Sequence, residues 1–183
     1  MNNTKIKSIF TEITFRKVIW LAPLAYFIHQ IEETIYNFPS WRYRYTGLSN
    51  PLPIPIFFTI LMCLSLVYII FHYKWTNQAT ALVLLTPQIA SQFHNGLYHL
   101  IGTIYFGVYS PGLITGLILY ISLSCLMIFK AYQDNYINKI TGFIIIIASG
   151  VLFWTFEFIG PIIIVIYQII VILILIIYYR KLH

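Results

Sequence analysis

His29-Gln30-Ile31-Glu32-Glu33 sets a histidine and two adjacent carboxylates inside an apolar run, in a 183-residue chain with only five acidic residues. Ionisable groups at bilayer depth are expensive. They are tolerated where they face a protein interior or a wet cavity, and there they mark function by default. Three arrangements would neutralise them. The first is a divalent metal, because imidazole nitrogen and carboxylate oxygen suit zinc, iron or manganese. His29 and Glu33, at i and i+4, present two ligands on one helix face. His99 can add a third from another helix and leave a position open for water, with Glu32 as general base or as support for a ligand. The second is proton sharing, since two close carboxylates do not both ionise cheaply; it suits proton transfer in catalysis or transport. The third is a cationic or polar ligand walled by aromatics such as Tyr26, Tyr36, Tyr98, Tyr105, Tyr109 and Trp154. Against all three stands a hydrogen-bonded network that only holds helices together.

These residues need elements to position them, and composition fixes the class of those elements. Hydrophobic residues make up 60% of the chain and charged residues 9%, with a mean hydropathy of +0.82. A soluble domain carries roughly 25% charged residues. The expectation is an all-α, polytopic membrane helix bundle forming a single membrane domain. Six apolar runs of spanning length cover 18–35, 54–73, 79–101, 111–129, 140–158 and 161–179. Gly160-Pro161 reads as the tight turn of a hairpin between the last two. Residues 1–17 read as a basic interfacial helix, with Ile6, Ile9, Phe10 and Ile13 at helical spacing among Lys5, Lys7, Arg16 and Lys17. No small-residue cleavage site follows the first apolar run, so it is read as retained rather than as a signal peptide. With the N-terminus inside, inner segments carry nine Lys/Arg and outer segments only Arg42 and Arg44. That bias predicts both termini on the cytoplasmic side of a multi-pass cell-membrane protein. The formal charge of +6 follows span ends and carries no nucleic-acid signal. Cys63 and Cys125 lie in apolar runs and read as buried free thiols. The Ile-, Tyr-, Asn- and Lys-rich usage suggests a low-GC bacterial source.

At about 1.5 Å per residue His29 falls near mid-membrane. On a wheel of about 100° per residue Tyr26, His29, Glu32, Glu33 and Tyr36 occupy an arc of about 120°. On the third span Gln88, Gln92, Asn95 and His99 fall within about 60° of one another, and His94 points away. Glu157 lies near the outer end of the fifth span, and Tyr109-Ser110-Pro111-Gly112 opens the fourth at the same level. The polar face of the first span is therefore expected to meet that of the third in the outer half of the bilayer. Gln92, Asn95, Tyr109 and Glu157 would be further pocket residues. Taken singly, Gln88 reads as packing glue, His94 as an interhelical hydrogen-bonder, His72 as interfacial, and Glu157 as either exposed or part of the site.

The motif residues resemble the HXXEE family. His29-Gln30-Ile31-Glu32-Glu33 is its signature, and Tyr109-Ser110-Pro111-Gly112 corresponds to its Tyr-x-Pro-Gly motif. Its further histidine corresponds to His99, preceded by Asn95, with His94 as the alternative. The resemblance covers roughly 18–120. It implies small, mostly bacterial, multi-span membrane proteins without an assigned function, so it supports the choice of site residues and adds no reaction. The last two spans, with Glu157, gain nothing from it. Two functional readings therefore stand. One is a metal-dependent hydrolase or lipid-modifying enzyme using His29, Glu32, Glu33 and His99. The other is a proton-coupled transporter or binder of a cationic or lipid-like ligand. A non-catalytic membrane scaffold is the third. The expected partners are the lipid bilayer and a lipid or small amphiphilic ligand.

Overall fold

A computed structural model describes residues 13–50 and 52–182, and the elements within them are helices without strands. They are α1 (Phe15–Val18), α2 (Leu21–Ile35), α3 (Phe38–Thr46), α4 (Ile54–Lys74), α5 (Gln78–Ile89), α6 (Asn95–Phe106), α7 (Leu113–Gln133), α8 (Lys139–Ile159) and α9 (Ile162–Leu182). Most of the interfacial helix expected over 1–17 lies outside the described residues. Its last turn is α1, and there Phe15 is fully buried rather than interfacial.

Local sequence sets the boundaries. Asn77 caps α5, its side chain accepting from the Thr80 N–H at 2.9 Å. Asn138 caps α8 in the same way, accepting from Thr141 at 2.8 Å. α8 and α9 turn at Gly160, whose φ of +88° favours a residue without Cβ. Between α5 and α6 the helix widens into a π segment, Ala90–His94, so 78–106 forms one continuous rod. Pro87 lies just before it inside α5. Proline has no N–H for the carbonyl four residues back, and the Tyr167 hydroxyl from α9 donates to that Val83 carbonyl at 3.2 Å. α7 carries a second π segment, Gly116–Ile121, and the two π segments pack on one another. Gly96 and Gly116 make that approach possible: a Cβ on Gly96 would lie 2.8 Å from the Gly116 carbonyl oxygen.

α4, α7 and α8 are each long and apolar enough to cross a membrane. Their outward faces carry exposed Ile60, Val67, Ile118, Phe129, Phe143 and Val151. The core between them is built on Tyr26, Ile69, Leu84, Leu85, Ile89 and Tyr120. At the end away from the HXXEE segment the Phe15 N–H donates to Asp134 at 2.7 Å. There the Phe15 ring meets His72 and Tyr136. His72 is thus buried, not interfacial, and pairs with Thr80 at 2.9 Å. Cys63 and Cys125 are free but exposed, which corrects the expectation of buried thiols. Both sit on outward helix faces, where an apolar run gives no sign of which side meets the core.

Candidate metal centre

α2 has the polar face expected of it, and the bundle turns that face inward. His29 and Glu33 are buried at the contact of α2 with α6 and the start of α7. His99 reaches them from α6. Glu33 Oε1 lies 3.4 Å from His29 Nε2 and 3.2 Å from His99 Nε2. His29, Glu33 and His99 each offer one ligand atom, all within 4.8 Å of one another. Four ligands in a tetrahedron with bonds of about 2.1 Å stand about 3.4 Å apart. The two measured edges match that spacing.

The far side of each ring is held. His29 Nδ1 pairs with the Thr115 hydroxyl at 2.7 Å, and His99 Nδ1 with the Ser110 hydroxyl at 3.0 Å. Ser110 is itself fixed, its N–H donating to Thr103 at 3.0 Å. Tyr120 stacks on His29 at 4.2 Å between ring centroids, and Phe38 meets His99 edge-on at 5.1 Å. Both Nε2 atoms are buried and make no hydrogen bond. Although Glu33 lies within 3.4 Å of each, neither approach has hydrogen-bond direction. The donor set and its orientation fit a divalent cation: two imidazole nitrogens and one carboxylate aimed at a common point, with ring orientation fixed from behind.

Glu32 points elsewhere. One oxygen accepts from the Gly112 and Ile114 N–H groups, each at 3.1 Å, and from the Tyr109 hydroxyl; the other accepts from the Thr115 N–H at 2.7 Å. It neutralises the unpaired donors at the N-terminus of α7. Through Thr115 it also fixes the loop that orients His29. The Tyr109-Ser110-Pro111-Gly112 turn therefore touches the cluster three ways. Tyr109 holds Glu32, Ser110 holds His99, and Gly112, at φ +102°, lets the backbone pass both rings.

The π segment interrupts the expected stripe on the third span without turning it away from α2. Gln92 and His99 turn toward α2, with Gln92 donating to the Ala22 carbonyl at 3.2 Å. Gln88 accepts from the Tyr26 hydroxyl of α2 at 2.9 Å, and together with Asn95 and Glu33 it lines a cavity beside the cluster. His94 contacts α8, where Nε2 lies 3.0 Å from the Ile146 carbonyl and 3.1 Å from Ser149, so it stands apart from the cluster. Glu157 is not exposed; it pairs with Arg42 at 2.8 Å, and the two bridge α8 to α3 over the site. Of the expected aromatic wall, Tyr26 and Tyr98 line the cavity, Tyr36 packs on Tyr109, and Tyr105 and Trp154 sit outside it. Ser110, Thr115, Tyr120 and Arg42 were not anticipated as site residues. Ser110 alone had a visible signal, as the variable position of a motif.

An all-helical bundle with a buried His–Glu–His group, braced by a Tyr-x-Pro-Gly turn, is the class of protein defined here. The chain belongs to the HXXEE family: the model described as "Protein of unknown function with HXXEE motif" matches residues 20–127. It is also 26% identical over 146 residues to a protein of Bacillus subtilis (strain 168) described as "Uncharacterized protein YrkK". That match covers 73% of this chain and 92% of the relative. No solved structure matches the chain.

Proposed function

We propose that this chain is a membrane-embedded, metal-dependent enzyme that hydrolyses or modifies a lipid-like substrate. His29, Glu33 and His99 would hold one divalent ion. The observation that carries the reading is the pair of buried Nε2 atoms, each without a hydrogen bond and each within 3.4 Å of one Glu33 oxygen. A divalent ion held there supplies an activated water and polarises a carbonyl or phosphoryl oxygen. The protein's own part is to hold both rings by Ser110 and Thr115, to aim Glu33 at both Nε2 atoms, and to exclude bulk water with Phe38 and Tyr120. Proton exchange between paired carboxylates is disfavoured, because Glu32 is committed to three backbone N–H groups and Tyr109.

The placement we propose is multi-pass in the cell membrane, with six spans and both termini cytoplasmic. Basic residues support it. Arg16 lies over Tyr73, and Lys74 over Trp75, at the end of the bundle away from the cluster. At the other end Arg42 is already paired with Glu157. The metal test is element analysis of protein purified without chelator. Wild type should hold close to one divalent ion per chain, and Glu33→Gln and His99→Ala should each lose most of it while remaining monodisperse. A metal-free wild type whose melting temperature ignores added zinc, iron and manganese refutes the reading.

A further inference from the structure

A cavity of about 110 Å³ begins at Glu33 and runs along α4. Its wall follows one face of α4 from Ile54 through Phe58 and Leu61 to Tyr68. Ile54 and Tyr68 lie fourteen residues apart, about 21 Å along the helix. α8 and α9 close the other side with Leu152, Phe156 and Ile164. The polar groups along this corridor satisfy one another. Tyr26 donates to Gln88 at 2.9 Å, Gln88 to Ser65 at 2.6 Å, and Tyr68 to Gln168 at 2.6 Å at the far end. In hydrogen-bonding terms the corridor is closed, and it presents an apolar surface to whatever fills it.

The Glu33 end differs. Arg42 Nε, Asn50 Oδ1 and Asn95 Oδ1 are buried without hydrogen-bond partners, and all three residues line the same cavity. One is a donor and two are acceptors. Buried polar atoms of this kind call for a partner. Arg42 is already neutralised by Glu157, so the end does not present a free cation to a phosphate. It suits a neutral head that both donates and accepts, such as a hydroxyl, ester or amide.

We infer that this cavity is a chamber for a single-tailed amphiphile, its hydrocarbon chain along α4 and its uncharged polar head beside Glu33. The inference rests on reading His29, Glu33 and His99 as the reacting centre. A lining that follows a single helix face over about 21 Å suits one hydrocarbon chain. Between α4 and α8 its wall is completed by half-buried Phe57 and Phe156, stacked at 5.4 Å.

Photocrosslinking tests it. The full chain is reconstituted in phosphatidylcholine nanodiscs with a monoacylglycerol carrying a diazirine in its tail, and adducts are mapped by mass spectrometry. Adducts should fall on corridor residues such as Leu61, Leu64 and Leu152. Unlabelled monoacylglycerol should suppress them, whereas the large excess of two-tailed phosphatidylcholine should not. Leu64→Trp should reduce them several-fold with metal content unchanged. Adducts confined to the outward residues Ile60, Val67 and Ile70 overturn the inference, and this wild-type map decides even if the tryptophan variant does not fold. A lysophosphatidic acid that competes better than monoacylglycerol overturns the uncharged head. Corridor labelling in a protein that binds no metal would leave the chamber standing and remove the metal reading instead.

Discussion

Gly112→Ala is the most direct probe of the cluster. The added Cβ would lie 2.7 Å from His99 Cε1 and 2.8 Å from both His29 Cε1 and His99 Nε2. Non-bonded carbons prefer about 3.5–4.0 Å, so each ring must give by the better part of an ångström. Neither ring can turn freely. Ser110 and Thr115 hold the Nδ1 atoms, and Tyr120 covers one face of His29. Overpacking of this kind costs about 1–3 kcal/mol, and a non-glycine residue at φ +102° adds about 1–3 kcal/mol. Together they amount to about 2–6 kcal/mol, a fall in melting temperature on the order of 10 °C for a chain of this size. Gly107→Ala is the control. Gly107 has φ +66° with nothing within 4 Å of its Cβ position, so it should show only the left-handed strain of about 1–2 kcal/mol. Melting is followed by intrinsic fluorescence in detergent, and metal content by element analysis. Gly112→Ala should lose most of its metal and Gly107→Ala should keep it. Equal melting losses with equal metal content would refute the placement of Gly112 against the two rings.

Ser110→Ala removes only the hydrogen bond behind His99, and it should weaken metal affinity by about 10–100-fold with little change in fold, as measured by competition with a fluorescent chelator. Arg42→Ala leaves Glu157 buried without its partner and should cost about 3–5 kcal/mol, whereas the Arg42→Ala/Glu157→Ala double variant should recover much of that; additive losses in thermal melts would show that the pair is not coupled. On a background with Cys63 and Cys125 replaced, Tyr43→Cys and Thr76→Cys should react with a membrane-impermeant thiol reagent from opposite sides of the membrane, and same-side labelling would end the proposed topology.

Helix positions were largely legible in the sequence because apolar runs end at strong punctuation. Pro53 and Pro55, Asn77, Asn138 and Gly160-Pro161 all stand at observed boundaries. The first apolar run was the exception. The helix restarts at Leu21 after α1, and Phe38–Thr46 forms a further helix within the outer segment between the first two spans. That α3 is polar in composition, yet it buries Phe38, Trp41 and Arg42 over the site. In the sequence Arg42 counts only as an outer-segment charge, because its partner is Glu157, 115 residues away and invisible to any local pattern. The stripe of Gln88, Gln92, Asn95 and His99 fared better. A wheel assumes one constant period, and Ala90–His94 interrupts it. Even so, Gln88, Gln92 and His99 all reach α2, through Tyr26, Ala22 and Glu33, and Asn95 lines the cavity that Glu33 also lines.

The two adjacent glutamates show what a motif can and cannot say. In sequence Glu32 and Glu33 are alike in type, and only the i, i+4 spacing from His29 marks Glu33 as the ligand and leaves Glu32 as general base or support. Side chains one residue apart on a helix diverge by about 100°, so one shared task is the geometrically awkward case. The surroundings separate them. Glu33 faces two imidazoles whose Nε2 atoms are otherwise unpaired, the environment of a ligand. Glu32 faces the start of α7 and takes three backbone N–H groups, the environment of an anchor. The anchor is not incidental to the centre. Thr115 donates its N–H to Glu32 and meets His29 Nδ1 with its hydroxyl, and Gly112, another Glu32 donor, lies against both rings. Glu32→Gln should therefore loosen the α7 turn and weaken metal binding without removing a ligand, whereas Glu33→Gln removes the ligand itself. In a zinc or manganese titration the first predicts a right-shifted curve that still saturates near one ion per chain. The second predicts a curve that does not saturate. If Glu32→Gln abolished binding and Glu33→Gln only shifted it, the assignment of anchor and ligand would be reversed.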